Sequence, residues 1–107
     1  MREVFPSDLT AAARHLLAVP HDLREDVCAQ LLREADWADK FAKRMGKPHP
    51  RWGNGTLMAV SRTRQMMPEK SFSDPEYALC FAVILQCLQR HRAGKACKSR
   101  LQAHMKN

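Results

Sequence analysis

The chain contains no apolar run of the roughly 18 residues that a membrane-spanning helix needs. Its N-terminus also lacks the apolar core and cleavage site of a signal peptide. Both absences predict a cytoplasmic protein in which the four cysteines are reduced thiols. No segment alternates apolar and polar residues with the period of two that is typical of strands, and no internal repeat is visible. The missing features favour one small all-α domain.

Motifs of the common catalytic and metal sites are missing as well. There is no C-x-x-C pair, no H-E-x-x-H frame and no G-x-x-x-x-G-K-[ST] phosphate loop. Cys80 and Cys87 share a helix face, so a metal site together with His91 is geometrically possible. Buried apolar thiols are the simpler interpretation. We therefore expect a protein that is not an enzyme and that holds no metal and no cofactor.

Acidic residues are missing from two stretches of a chain whose net charge is +7. Residues 40–68 hold seven Lys or Arg, and residues 89–107 hold six. Such blocks are typical of a surface that binds nucleic acid, although basic faces also serve merely to keep a protein in solution. The candidate phosphate-binding residues are Lys40, Lys43, Arg44, Lys47, Arg51, Arg62 and Arg64, with Lys95, Lys98, Arg100 and Lys106 towards the C-terminus.

The apolar pattern predicts a compact bundle of about four helices. The most apolar helix is centred on residues 77–88, of which only Gln86 is polar, so we expect neighbours to cover it on all sides. Ser73 begins an S-x-x-E capping box at its start, and Gly94 predicts its end. Residues 1–94 then form the helical domain, and residues 95–107 form a basic tail that is either weakly helical or disordered. The structural residues expected in this helix are Tyr77, Phe81, Ile84, Leu85 and Leu88.

Two further helices precede the central loop. The first is predicted to start with Ser7 as its cap and to end before Pro20. The second starts with a capping box over residues 22–25 and ends at Gly46. Its apolar residues recur in steps of three and four from Leu23 to Met45, and its charged opposite face is expected to be solvated.

The loop over residues 46–55 contains two prolines and three glycines, which exclude regular structure there. Trp52 in this loop has two interpretations: it stacks on bases or sugars, or it plugs the end of the helical core as a structural residue, which we favour. A third helix is expected to start near Thr56 and to run towards Arg64. If the second and third helices fold back at this loop, the seven bases of residues 40–68 converge on one edge.

Several stretches of the sequence together resemble one family. They are H-P-R-W-G-N-G-T-L-M-A at residues 49–59, D-P-E-Y at 74–77, S-D-L-T-A-A-A-R at 7–14 and L-A-V-P at 17–20. They resemble short helical proteins of marine and photosynthetic alphaproteobacteria that are encoded beside the large terminase of a gene transfer agent, a domesticated phage particle. That family is identified as the small terminase subunit. The resemblance spans roughly residues 7–92, and the segment after Gly94 has no counterpart in it.

The resemblance implies a non-enzymatic, helical and oligomeric protein of DNA packaging. Such a protein binds double-stranded DNA and hands it to the large terminase subunit, which carries the ATPase and the nuclease. No helix-turn-helix is visible, so phosphate contacts that do not read sequence are the expected mode of binding. The alternative is a helical adaptor or regulator that binds another protein through the helix over residues 23–45 or through the tail, without touching DNA.

Overall fold

The computed structural model of the chain describes the backbone of residues 1–105 and the side chains of residues 1–94. Four α-helices and one short 3-10 turn account for its regular structure, and no strand occurs among the described residues. The prediction of a small all-α bundle is confirmed. The elements are α1 (Pro6–Leu16), the 3-10 turn (His21–Leu23), α2 (Arg24–Met45), α3 (Leu57–Ser61) and α4 (Pro75–Met105).

The core lies where α1 and α2 each pack against both α3 and α4. Ala12 and Ala13 of α1 are fully buried, and their small side chains allow the neighbouring helices to approach α1 closely. Burial, followed by the neighbouring thiol of Cys87, raises the pKa of the Cys28 thiol above its ordinary value. The largest fully buried side chains are Leu16, Leu31, Leu32, Leu57, Val60, Tyr77 and Ile84.

The start of α1 is fixed by Asp8, which is only 4% exposed, and not by Ser7. Phe5 is the N-cap residue, and Asp8 Oδ2 accepts its backbone N–H at 2.8 Å. The other carboxylate oxygen, Oδ1, accepts the backbone N–H of Met58 in α3 at 2.9 Å. Asp8 therefore joins the first turn of α1 to the first turn of α3, which an exposed serine could not do.

The second helix begins later than the sequence indicates. Residues 21–23 form the 3-10 turn, so the expected capping box does not cap α2, and Leu23 precedes the helix without a side-chain cap. Gly46 ends α2 as predicted, with a left-handed φ of 71°. Leu23 and Met45, the two ends of the predicted apolar stripe, are 47% and 52% exposed and do not belong to the core. The buried apolar residues of α2 are Cys28, Leu31, Leu32, Ala35 and Ala38.

Three acids on the charged face of α2 are not solvated as expected, although the other charged residues of that face are exposed. Glu34, Asp36 and Asp39 are each between 5% and 6% exposed. Each carboxylate lies beside a cation from a distant or adjacent part of the chain: Glu34 beside Arg64, and Asp36 and Asp39 beside the N-terminal amine of Met1. Buried carboxylates persist when they are paired in this way, which local sequence does not reveal.

The bounds of α3 and α4 also differ from the prediction. Thr56 caps α3, but the helix ends at Ser61 and does not reach Arg64. Asp74, rather than Ser73, caps α4, because its carboxylate accepts the backbone N–H of Tyr77 at 3.0 Å. α4 passes through Gly94 and continues to Met105. A glycine inside a helix costs about 1 kcal/mol relative to alanine, which weakens a helix but does not end it.

Neighbouring helices cover one side of α4 and leave the other side open. Ile84 is fully buried, whereas Leu79 and Leu85 are 45% and 46% exposed. The expectation that Leu85 is a core residue is therefore wrong, because α1 and α2 reach only one side of this helix. Phe81 is half-buried and packs against the ring of Tyr77. In the part of the chain that the structure describes, no helix is both long and apolar enough to cross a membrane.

Candidate nucleic-acid interface

The central loop contains a tight hairpin at residues 49–53. His49 and Gly53 exchange two backbone hydrogen bonds of 2.8 and 3.0 Å. The Nδ1 atom of His49 accepts the backbone N–H groups of Arg51 at 3.0 Å and Trp52 at 3.1 Å. These bonds need an unprotonated Nδ1, so the ring acts here as the acceptor that organises the turn. The hairpin therefore has a defined shape, although it contains no regular strand.

Trp52 anchors the hairpin to the helices. It is half-buried and packs against the core, with its ring stacked on His49 at 4.7 Å and 5.6 Å from the ring of Trp37. The ring of Phe41 lies edge-on to His49 at 4.8 Å. Trp52 thus closes the end of the helical core in the manner of a plug. Its ring packs against the rings of His49 and Trp37 of the same chain.

Two glycines allow the backbone to pass close to its neighbours. A Cβ atom on Gly55 would lie 2.7 Å from the Cα atom of Asp39 in α2, and Gly55 has a φ of +96°. A Cβ atom on Gly53 would lie 2.8 Å from Cβ of Ala59. Both positions therefore exclude larger residues. The spacing H-P-x-W-G-x-G is explained by the packing of the hairpin, and Arg51 is the charged side chain that the hairpin exposes.

The end of α2 and the loop that packs against it carry four exposed bases; we call Lys43, Arg44, Lys47 and Arg51 the basic cluster. The first two lie in the last turn of α2, Lys47 follows the turn at Gly46, and Arg51 lies on the hairpin. The ring contact between Phe41 and His49 holds the hairpin against the last turns of α2. The hairpin that carries Arg51 therefore packs against the helix that carries Lys43 and Arg44.

One member of the basic cluster has an internal partner. The Nζ atom of Lys43 lies 3.1 Å from Oδ2 of Asp39, and the lysine side chain is 77% exposed. Burial raises the pKa of the Asp39 carboxyl, but hydrogen bonds from Lys43 and the N-terminal amine together outweigh burial and hold this pKa below its ordinary value. Lys43 therefore remains solvent-accessible while it helps to keep Asp39 ionised.

Arg62 and Arg64 lie against other parts of the fold, so the expected convergence of all seven bases is wrong. Lys40 lines a cleft beside Trp37, and Arg62 lines a groove beside Thr10 of α1. Arg64 donates from Nη2 to both carboxylate oxygens of Glu34 at 2.7 Å. The side chains of Lys95, Lys98, Arg100 and Lys106, which were also predicted to bind phosphate, lie outside the described residues.

The cleft that contains Lys40 lies between α2 and α4 and has a volume of about 730 Å³. Its most exposed large apolar side chain is Trp37, at 52%, a residue to which the sequence pattern assigned no role. The spacing of four residues between Trp37 and Phe41 is the signal that could have indicated an aromatic cluster. On the same cleft, Nε2 of His91 lies 2.8 Å from Oδ2 of Asp36, at ion-pair distance but not in hydrogen-bond geometry.

The described residues do not assemble a metal site. No group of three or more His, Cys, Asp or Glu side chains among them is placed to hold a metal ion. Cys80 is buried in the core, and the Sγ atom of Cys87 lies 3.9 Å from the carbonyl oxygen of Glu25. His91 lies beside Asp36, so its imidazole is directed to a carboxylate.

Comparison with known proteins gives one match. Residues 2–88 match the model of a family described as a domain of unknown function (DUF7742). The match covers every element from α1 to the apolar turns of α4, including the hairpin and the basic cluster. No curated protein and no solved structure matches the chain.

Proposed function

The chain belongs to the DUF7742 family, and we propose that it is a DNA-packaging component of the small-terminase kind, acting in a gene transfer agent. In this role it binds double-stranded DNA through phosphate contacts and hands it to the large terminase subunit. The observation that carries the proposal is the basic cluster, in which a hairpin packed against α2 exposes Arg51 and the end of α2 with its following turn exposes the other three bases. The resemblance of the hairpin segment and of D-P-E-Y to small terminases of gene transfer agents supports the same role.

The two loop members of the basic cluster, Lys47 and Arg51, support DNA binding most directly. Lys43 and Arg44 lie in the last turn of α2, where cations stabilise a helix by complementing its dipole. Lys47 and Arg51 lie beyond that helix and are exposed, so the helix dipole does not account for them. Phosphate groups bind such exposed cations without reading the bases, which suits a particle that packages DNA of any sequence.

The proposed role includes three further features. It needs no catalytic centre, because the large subunit supplies ATP hydrolysis and DNA cleavage in packaging systems of this kind. It places the protein in the cytoplasm, where the DNA and the large subunit are found. It also includes self-association, since a domain of this size buries a small core and gains stability from a second copy.

The test is the salt dependence of binding to a labelled random-sequence duplex, measured by fluorescence anisotropy. We expect weak binding at about 50 mM salt that falls steeply by about 200 mM, because bound phosphates release counterions. Replacing both Lys47 and Arg51 by Gln should flatten the plot of log K against log salt by about two units if each contacts one phosphate.

The matched control replaces two other exposed bases, Arg33 and Lys70, by Gln. It removes the same net charge, so a reduction caused by overall charge alone would appear equally in both variants. An equal slope in the parent chain and in the Lys47/Arg51 variant would contradict the proposed site. No binding of the parent chain at about 50 mM salt would contradict DNA binding itself.

A second candidate function is a helical adaptor that binds another protein through α2. The observation that favours it is the exposure, each close to one half, of Trp37 and Met45 in this helix and of Leu23 directly before it. Large apolar side chains at this exposure are typical of protein interfaces. The adaptor function would be favoured by two results together. The parent chain binds the purified large subunit but not DNA, and Trp37→Ala abolishes the binding of the large subunit.

A further inference from the structure

The side of α4 that faces away from the core is uncharged over about four turns. Between Glu76 and Arg90, α4 has no charged residue, although 27% of the chain is charged. Leu79 and Leu85 are 45% and 46% exposed, and Ala82 between them is also exposed. An exposed helix side usually carries charged residues, so this one has the composition of an interface. We call it the outer face of α4; it consists of Ala78, Leu79, Ala82, Leu85, Gln86 and Gln89.

The two ends of the outer face carry opposite charges. Asp74 and Glu76 lie at its N-terminal end, and Arg90 and Arg92 lie at its C-terminal end. The side chains of Glu76 and Arg90 remain 55% and 66% exposed even though each has a partner in its own chain. An antiparallel copy of the same helix therefore meets this face with complementary charge, whereas a parallel copy places like charges together.

We propose that a second copy of this chain covers the outer face, with the two α4 helices antiparallel about a two-fold axis at Ala82. Along the sequence, the midpoint between Asp74 and Arg92 is position 83, and so is the midpoint between Glu76 and Arg90. Position 83 lies next to the proposed axis. Each acid then lies opposite an arginine of the second copy. The self-complementary contact is the isologous kind that closes a dimer.

Side-chain size fits the same arrangement. Ala82 has the small side chain that lets two helices approach at an axis, and Ala78 provides a second shallow position. Leu79 and Leu85 project on either side of the axis and fill the spaces beside the alanines of the second copy. Each copy contributes the six residues of the outer face, fewer than the roughly 20–30 of a standard interface, so we expect a dissociation constant in the micromolar range.

This inference rests on the self-association included in the proposed function and assigns a surface to it. DNA binding is independent of it, because the basic cluster belongs to the end of α2 and to the hairpin rather than to α4. A parent chain that binds DNA but stays monomeric contradicts the inference alone. A parent chain that forms dimers through α4 but does not bind DNA contradicts the DNA-binding role alone.

The first experiment is sedimentation equilibrium of the full chain between about 5 and 500 µM, which spans a micromolar dissociation constant. Replacing both Leu79 and Leu85 by Lys should raise this constant about tenfold or more, because like charges then meet across the axis. The control is Met45→Lys, which adds a charge at an equally exposed apolar residue, 52% exposed, at the end of α2. A parent chain that stays monomeric, or a double variant that dimerises like the parent, overturns the proposal.

The second experiment tests the antiparallel register by oxidative cross-linking. The thiol introduced by Ala82→Cys meets its copy at the axis and forms a covalent dimer, whereas thiols introduced by Ala93→Cys lie about 33 Å apart. Cys97, whose side chain lies outside the described residues, is replaced by Ser in every chain of this experiment, and the resulting parent, in which Cys28, Cys80 and Cys87 are buried, gives the background. Preferential cross-linking of the Ala82→Cys variant supports the proposal. Equal cross-linking of both variants, or none above background in a dimerising Ala82→Cys chain, overturns it.

Discussion

Arg64 and Glu34 form an ion pair that joins the segment after α3 to the middle of α2. The Nη2 atom of Arg64 lies 2.7 Å from each carboxylate oxygen of Glu34, and Gln30 Nε2 donates to one of the same oxygens at 3.0 Å. The Glu34 side chain is 8% exposed and the Arg64 side chain 22%. This arginine belongs to the most basic stretch of the sequence, yet its charge compensates a buried carboxylate.

The pair predicts that Arg64 contributes to stability and not to DNA affinity. We expect Arg64→Gln to lower the free energy of unfolding by about 1–3 kcal/mol, because Glu34 stays buried without its cation. Arg62→Gln, at an exposed base two residues away, should change it by no more than about 0.5 kcal/mol. Urea denaturation measures both values. If Arg64→Gln leaves the free energy of unfolding unchanged but flattens the plot of log K against log salt for DNA binding, Arg64 contacts phosphate instead.

A second prediction concerns Gly94, which lies inside α4 rather than at its end. Its φ is not positive and nothing lies within 4 Å of a Cβ atom placed there. Gly94→Ala should therefore stabilise the chain by up to about 1 kcal/mol and raise its helical circular dichroism. If Gly94 ended the helix in the left-handed conformation, the same substitution would destabilise the chain, so the sign of the change decides between the two.

A third prediction separates steric contact from backbone strain in the central loop. Gly55 combines a φ of +96° with a close approach to Asp39, whereas Gly46 has a φ of +71° and open space around it. Gly46→Ala should cost about 1 kcal/mol, from the left-handed conformation alone. Gly55→Ala should cost at least about 2 kcal/mol, because α2 must also move. If urea denaturation gives the same loss of unfolding free energy for both variants, the contact between Gly55 and Asp39 adds no steric cost to the cost of the backbone conformation.

A fourth prediction compares neighbouring apolar residues on α4. Ile84 is fully buried, so Ile84→Ala should lower the free energy of unfolding by about 2–5 kcal/mol through the lost contacts and the remaining cavity. Leu85 is 46% exposed, so Leu85→Ala should cost less than about 1 kcal/mol at concentrations where the chain is monomeric. Similar losses for both would mean that α4 is covered on both sides, as the sequence alone indicates.

Features set by neighbouring residues were predictable from the sequence. Apolar residues spaced three and four apart indicate helices, and Gly46 ends α2 because glycine adopts a positive φ without steric cost. The basic cluster could also be predicted from the sequence, because Lys43, Arg44 and Lys47 lie close together along the chain and Arg51 is four residues after Lys47. In each case the interacting groups are close in sequence, so local chemistry determines the outcome.

Tertiary packing decided which charged and apolar residues are available at the surface. Glu34, Asp36 and Asp39 lie on what reads as a solvated helix face, but chain segments 30 or more residues away bury them and supply their cations. Leu85 belongs to an almost wholly apolar helix, yet it is exposed because only one side of α4 meets other helices. The sequence pattern gives the faces of each helix, but which face is buried depends on how the helices pack, and that packing depends on contacts between distant residues.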